Sequence, residues 1–174
     1  MSKPKKYNVL SLSSLKQLQE DLEKYSDSLT YKAQRLAEEL AEQGVKDAKI
    51  HIADFNAMFR GDLYNSIHSE SVMDTKYGAV FAIVADDESA IFVEMGTGLI
   101  GAKHPYPGKL PAMYAQGVYG KANFKRTGKY YWFYQGTDGN WYYCEGMPSR
   151  PFMYETTLDL YKIVEKTAKK VFGE

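Results

Sequence analysis

The chain has 174 residues with 22 basic and 22 acidic side chains, so its formal net charge is zero. Such a balance makes a poor whole-molecule binder of nucleic acid, because that affinity comes mostly from neutralising phosphates. Hydrophobic residues at 44% and charged residues at 25% are globular proportions that exclude wholesale disorder, and the length suits a single domain, 1–174.

One cysteine, Cys144, leaves no intrachain disulfide to form. No apolar run approaches the ~20 residues needed to span a membrane. The start, Met1 to Lys6, is basic, and no apolar signal core follows it. Residues 1–10 are expected to be a flexible tail on a soluble chain that is cytoplasmic where it is made.

Ser11 to Gln43 predicts one helix, with Leu15, Leu18, Leu22, Tyr25, Leu29, Ala33, Leu36 and Leu40 at steps of three and four. Ser14 with Gln17 fits a capping box, Glu20 and Lys24 a favourable pair, and Gly44 a left-handed stop. About 30 helical residues make a rod of ~45 Å, whereas a compact globule of this length is only ~40 Å across. The helix should therefore run the full width of the body, bend, or project onto a neighbour.

Lys49 to Ala53 alternates and predicts a short strand. Gly61-Asp62 suits a turn or helix start, with Leu63 and Ile67 on one helical face. Tyr77 to Ala85 predicts a buried strand, with Ser69 to Thr75 as its partner. Asp86-Asp87-Glu88 makes a polar corner, and Ala90 to Met95 fits either a strand or a helical turn.

Leu99 to Lys129 carries glycine and proline too often for long elements and predicts a long basic loop. From Met95 to Thr137 there is no acid, while Lys103, Lys109, Lys121, Lys125, Arg126 and Lys129 are present. That stretch is a candidate contact for DNA or an acidic partner, or else a solvated loop. Asp138-Gly139 predicts a two-residue hairpin turn that sets Tyr134 opposite Tyr143 and Phe133 opposite Cys144. Aromatics lie on both faces of this hairpin, so both should be covered. Pro151 to Phe172 predicts the last helix, capped by Ser149 and closed by Gly173, with Leu158, Tyr161, Val164, Ala168 and Val171 as its buried stripe.

The chemistry is sparse. His51, His68 and His104 stand far apart, and with one cysteine there is no zinc pattern. A Cys144–His104 dyad can be drawn, but a buried cysteine acting as a small apolar residue fits the hairpin better. Gly96-Thr97-Gly98 lacks the Lys-Ser of a phosphate loop, and Arg60-Gly61-Asp62 is a tripeptide common by chance. No catalytic, cofactor or metal residue emerges. Trp132, Tyr134, Trp141 and Tyr143 leave a carbohydrate- or cell-wall-binding module as the rival to a structural role.

Three segments resemble one family, the neck and minor tail-component proteins of long-tailed phages and prophages. Gly61-Asp62-Leu63-Tyr64-Asn65-Ser66-Ile67 is similar to the family's Gly-x-Leu-x-x-Ser-Ile. Phe92-Val93-Glu94-Met95-Gly96-Thr97-Gly98 resembles Tyr-Val-Glu-Phe-Gly-Thr-Gly, with Met95 replacing the usual aromatic. Met147-Pro148-Ser149-Arg150-Pro151-Phe152-Met153 resembles Pro-Ala-Arg-Pro-Phe-Leu. The likeness covers residues 12–172 in order, with a longer segment at 103–145 than the family usually has.

The resemblance implies a structural virion protein of the head–tail junction, in a neck or tail-completion role. It would be made in the host cytoplasm and would act by assembling into a ring, with six-fold symmetry as the family's setting. Its partners would be further copies of itself, the connector or head-closure protein, and the tail-tube or tail-terminator protein. Arg150 is a candidate clamp for a carboxylate, with Glu94 its proposed partner within or between subunits. The fold expected is α+β: a mostly antiparallel sheet packed against a long first helix and a final helix, with the aromatic hairpin as an insertion.

Overall fold

A computed structural model describes residues 11–58, 61–75, 78–111 and 131–173. The fold is α+β, built from long first and last helices and small antiparallel sheets. Helix α1 (Leu12–Asp54) is followed by α2 (Asp62–Ser66), β1 (Ile67–Thr75), β2 (Gly78–Ala85), α3 (Ala90–Met95) and α4 (Gly98–Lys103). After residue 131 come β3 (Trp132–Gln135), β4 (Trp141–Cys144), β5 (Gly146–Met147) and helix α5 (Phe152–Phe172). The antiparallel structure is divided into two separate two-stranded sheets, β1–β2 and β3–β4. No helix among the described residues is long and apolar enough to cross a membrane.

Helix α1 has 43 residues, about 64 Å at 1.5 Å per residue. It starts at Leu12, so Ser14 lies inside it and no capping box forms. It also passes straight through Gly44 and takes in Lys49–Ala53, the segment whose alternation predicts a strand. Gly44 is buried, and a Cβ there would run into Ile83 Cδ1 and sit 3.1 Å from Leu160 Cδ1. The glycine lets β2 and α5 approach the helix and is not its stop. Ala41, Gly44, Ala48 and Ile52 form the buried face, while Ile50 is exposed, so helical spacing overrides the apparent alternation.

The helix ends at Asp54, and Asn56, just past its cap residue Phe55, has a φ of 53°. Asn56 N–H donates to Ala53 C=O and Ala57 N–H to Ile52 C=O, both at 2.9 Å. This is a Schellman stop with asparagine in the left-handed position. Its apolar contact joins Ala57 to Ile52, and both side chains lie in the core.

Strands β1 and β2 pair from Ile67 opposite Ala85 to Thr75 opposite Gly78, with a shift in register between Ser71 and Met73. Ala90 to Met95, which fits a strand or a turn by periodicity, is helical. The supposed long loop opens with helix α4, and its residues 112–130 lie outside the described residues.

Helix α5 packs antiparallel along the second half of α1. His51 Nε2 lies 2.9 Å from Asp159 Oδ2, Lys170 Nζ 2.8 Å from Glu39 Oε2, and Lys32 Nζ donates to Phe172 C=O at 3.1 Å. Gly173, with φ 82°, closes α5 as its spacing predicts. The face of α5 is not the predicted one. Phe152 and Thr156 are buried, whereas Leu158, Val164 and Tyr161, the last 73% exposed, point away from α1. Thr156 enters the core because its hydroxyl donates back to Phe152 C=O at 2.7 Å, which satisfies it without water.

Candidate functional site

The three family-like segments meet in one place. Leu63 and Ile67 from the first, Val93 from the second and Phe152 from the third are buried together with Ala48, Ile52 and Ala57. Gly61, at φ 86°, turns the chain into α2, and Ser66 Oγ donates to Leu63 C=O at 2.8 Å to finish that turn.

Above this core the second and third segments are tied backbone to backbone. Thr97 bridges Met147 and Gly98 bridges Gly146 in antiparallel fashion. Arg150 N–H donates to Val93 C=O at 2.8 Å, and Ser149 N–H donates to His104 C=O at 3.1 Å. Ser149 Oγ donates to Glu94 C=O at 2.6 Å, so this serine ties α3 to the strand end and does not cap α5. Thr97 Oγ1 accepts from Met147 N–H at 3.2 Å. Gly96, Gly98 and Gly146 all have positive φ. A Cβ on Gly96 would meet Ser149 N at 2.5 Å, and one on Gly98 or Gly146 would run into the Glu145 or Thr97 carbonyl. No other residue type allows two backbones to lie this close in these conformations. Pro148 and Pro151 frame the crossing, and Pro151, at φ −80°, is the cap residue of α5.

Proline offers no side-chain acceptor, so α5 begins with orphan N–H groups. Glu94 supplies what is missing. Its Oε2 accepts from Met153 N–H at 2.9 Å and its Oε1 from Tyr154 N–H at 3.0 Å. These are the second and third N–H groups of the helix, where a carboxylate also meets the positive end of the helix dipole. Glu94 is only 6% exposed. Burial pushes its carboxyl above the ordinary range, against the pull of the two N–H groups. Burial also raises the Tyr106 phenol, with Glu94 and Tyr154 adding to the effect, and the Tyr106 ring packs edge-on against Tyr154 at 5.6 Å.

The Glu94–Arg150 pairing is therefore not made within the chain. Arg150 instead lines a cleft of about 630 Å³ floored by Ala57, Leu63 and Val93 and rimmed by Asp62 and Asp87. Asp87 is occupied locally, its carboxylate accepting from the backbone and hydroxyl of Ser89 to start α3, as a polar corner should. Among the described residues no group of His, Cys, Asp and Glu is placed to hold a metal ion. Cys144 is half-buried, and its sulfur lies against Gly146 rather than His104.

No protein-family model, curated protein or solved structure matches this chain. What it does has to be read from its own surfaces.

Two of those surfaces are conspicuous. Strands β3 and β4 pair Phe133 with Tyr143, Tyr134 with Tyr142 and Gln135 with Trp141. The register differs by one from the two-residue turn. The loop is Thr137-Asp138-Gly139, closed by Gly136 N–H donating to Asn140 C=O at 2.8 Å, with Gly139 at φ 82°. Asp138 selects it by accepting from Asn140 N–H and from Tyr142 Oη at 2.6 Å. Among the described residues the expected cover is missing: Phe133, Tyr134, Tyr142 and Tyr143 are exposed, and Trp141 is 68% exposed. Tyr143 Oη donates to Glu145, which holds its phenol up at about 12.

The other surface is the first half of α1. Because α5 ends level with Lys32, residues 12–31 run on without it, about 30 Å of helix. Leu15, Leu22, Tyr25 and Leu29 are exposed along this arm. Of the basic-loop residues, Lys103 and Lys109 are exposed, and Lys121, Lys125, Arg126 and Lys129 lie outside the described residues, as does Arg60.

Proposed function

We propose that this chain is a structural subunit of a tailed-phage head–tail junction, a neck or tail-completion component that works by closing into a ring. The observation that carries the reading is the arm of α1, a helical stripe of leucines and tyrosine left in solvent beyond the end of α5. Contiguous apolar surface bordered by polar residues marks a protein–protein contact. A ring requires two different, complementary faces on each subunit, and the hairpin aromatics offer a second uncovered face. The three family-like segments support the same reading by making a rigid body. Their glycines and prolines set the hairpin base, α3 and the start of α5 in fixed relation, which is what a subunit needs to present faces at a constant angle.

Its partners would be other copies, the connector or head-closure protein, and the tail-tube or tail-terminator protein. A DNA contact through Lys103, Lys109 and the rest of the basic segment belongs to the same proposal. A glycan-binding role for the hairpin has less behind it. Phe133 and Tyr143 cross at 69° and fill each other's edges, which leaves the stacked Tyr134 and Tyr142 and the exposed Trp141 to carry it. Tryptophan fluorescence that shifts on glycan titration would revive it.

Sedimentation and native mass measurements across a concentration series test the ring reading. A discrete, closed oligomer visible as a ring by electron microscopy is the expected result. A chain that stays monomeric up to its solubility limit overturns the reading.

A further inference from the structure

We infer that the arm of α1 pairs with the same arm of neighbouring copies as a parallel helical seam. This rests on the assembly reading and names the occupant of its main surface. Leu15, Leu18, Leu22, Tyr25 and Leu29 follow steps of 3, 4, 3 and 4, the narrow a/d pattern that another helix covers and a sheet or globular face does not. The stripe is continuous with the face that α5 covers: further along the same helix, Lys32 and Glu39 meet Phe172 and Lys170 of α5. Where α5 ends, the covering helix stops and the apolar stripe goes on.

The flanks of the stripe are nearly uncharged, so a second copy of the arm can lie against it. The positions beside the seam are Ser14, Gln19, Ser26 and Ser28, with Asp21 the one charge among them. Lys16, Glu20, Glu23, Lys24 and Asp27 all fall on the outer face. Arms lying along the axis of a ring are parallel by symmetry. Two heptads cover well under the ~800 Å² per partner of a stable standard interface, so the seam joins subunits already held side by side.

Cysteine cross-linking of the full chain in a Cys144→Ser background tests this. In a parallel seam residue 22 meets its own counterpart, so Leu22→Cys should form disulfide-linked dimers at least about tenfold faster than Glu20→Cys on the outer face. Mixed Leu15→Cys and Leu29→Cys chains should give 15–15 and 29–29 links but not 15–29 links. Leu22→Lys, at a position 58% exposed in the single chain, should weaken self-association while leaving the unfolding transition in place. If oligomers form but position 22 links no faster than position 20, the seam is wrong and the assembly reading stands. Predominant 15–29 links overturn the parallel seam, and a wild-type chain that never self-associates overturns both ideas.

Discussion

Glu94, buried at the start of α5, is the cap that Pro151 cannot be. Removing it leaves two half-buried N–H groups at the start of α5 without their acceptor. Glu94→Ala should therefore cost about 2–4 kcal/mol in denaturant unfolding. Arg150→Ala keeps its backbone bond to Val93 and should cost less than about 1 kcal/mol. Equal losses would mean that the two side chains act as a pair after all. The pH dependence has a definite sign. An acid whose folded-state pKa is raised binds more protons folded than unfolded between the two values. Its contribution is thus full below the ordinary 4.5 and is lost as pH rises through the folded-state value. The stability difference between wild type and Glu94→Gln should fall across that window, and a flat difference would contradict the raised value. The residues of this site were visible in the sequence as a motif, but the role of Glu94 was not, because the N–H groups it holds lie 59 and 60 residues further along the chain.

Among the elements, the length of α1 and the register of the hairpin are both set by contacts beyond the local pattern. Glycine is the usual stop for a helix, and Gly44 follows a long periodic run, yet the helix continues because β2 and α5 need the space its missing side chain leaves. The sign of a substitution there should invert. Alanine is the better helix former by about 1 kcal/mol, but Gly44→Ala must displace Ile83 and Leu160 and should destabilise by about 1–3 kcal/mol in chemical denaturation. A stabilised variant would show that β2 yields easily. In the hairpin, Asp138-Gly139 was legible as a turn, but Asp138 bonding to Asn140 and Tyr142 selects the three-residue loop and moves every cross-strand pair by one. On α5 the covered face departs from the apolar pattern because Thr156, a polar residue, is buried with its hydroxyl satisfied by its own helix, while Tyr161 is exposed.

For the molecule as a whole, stability is unevenly distributed. The second half of α1 is held by α5, β2 and the core, whereas Leu15, Leu22, Tyr25 and Leu29 of the arm are exposed. Isolated helices of this length are marginal in water. Hydrogen exchange on the free chain should therefore show amides between 13 and 31 exchanging far faster than those between 41 and 52. In the assembled state the arm should become protected. Protection of the arm already present in a verified monomer would mean that the chain covers its own stripe.

The class of fold, both terminal helices, the β1–β2 pair and the existence of the aromatic hairpin could all be read from the residues alone. Those features follow from local sterics and from periodic avoidance of water, which a few neighbouring positions encode. Where α1 ends, which face of α5 is covered, how the hairpin registers and which N–H groups Glu94 caps were settled by packing between distant segments. A glycine, a threonine or a glutamate has several low-energy uses, and only the neighbours brought to it in three dimensions choose among them.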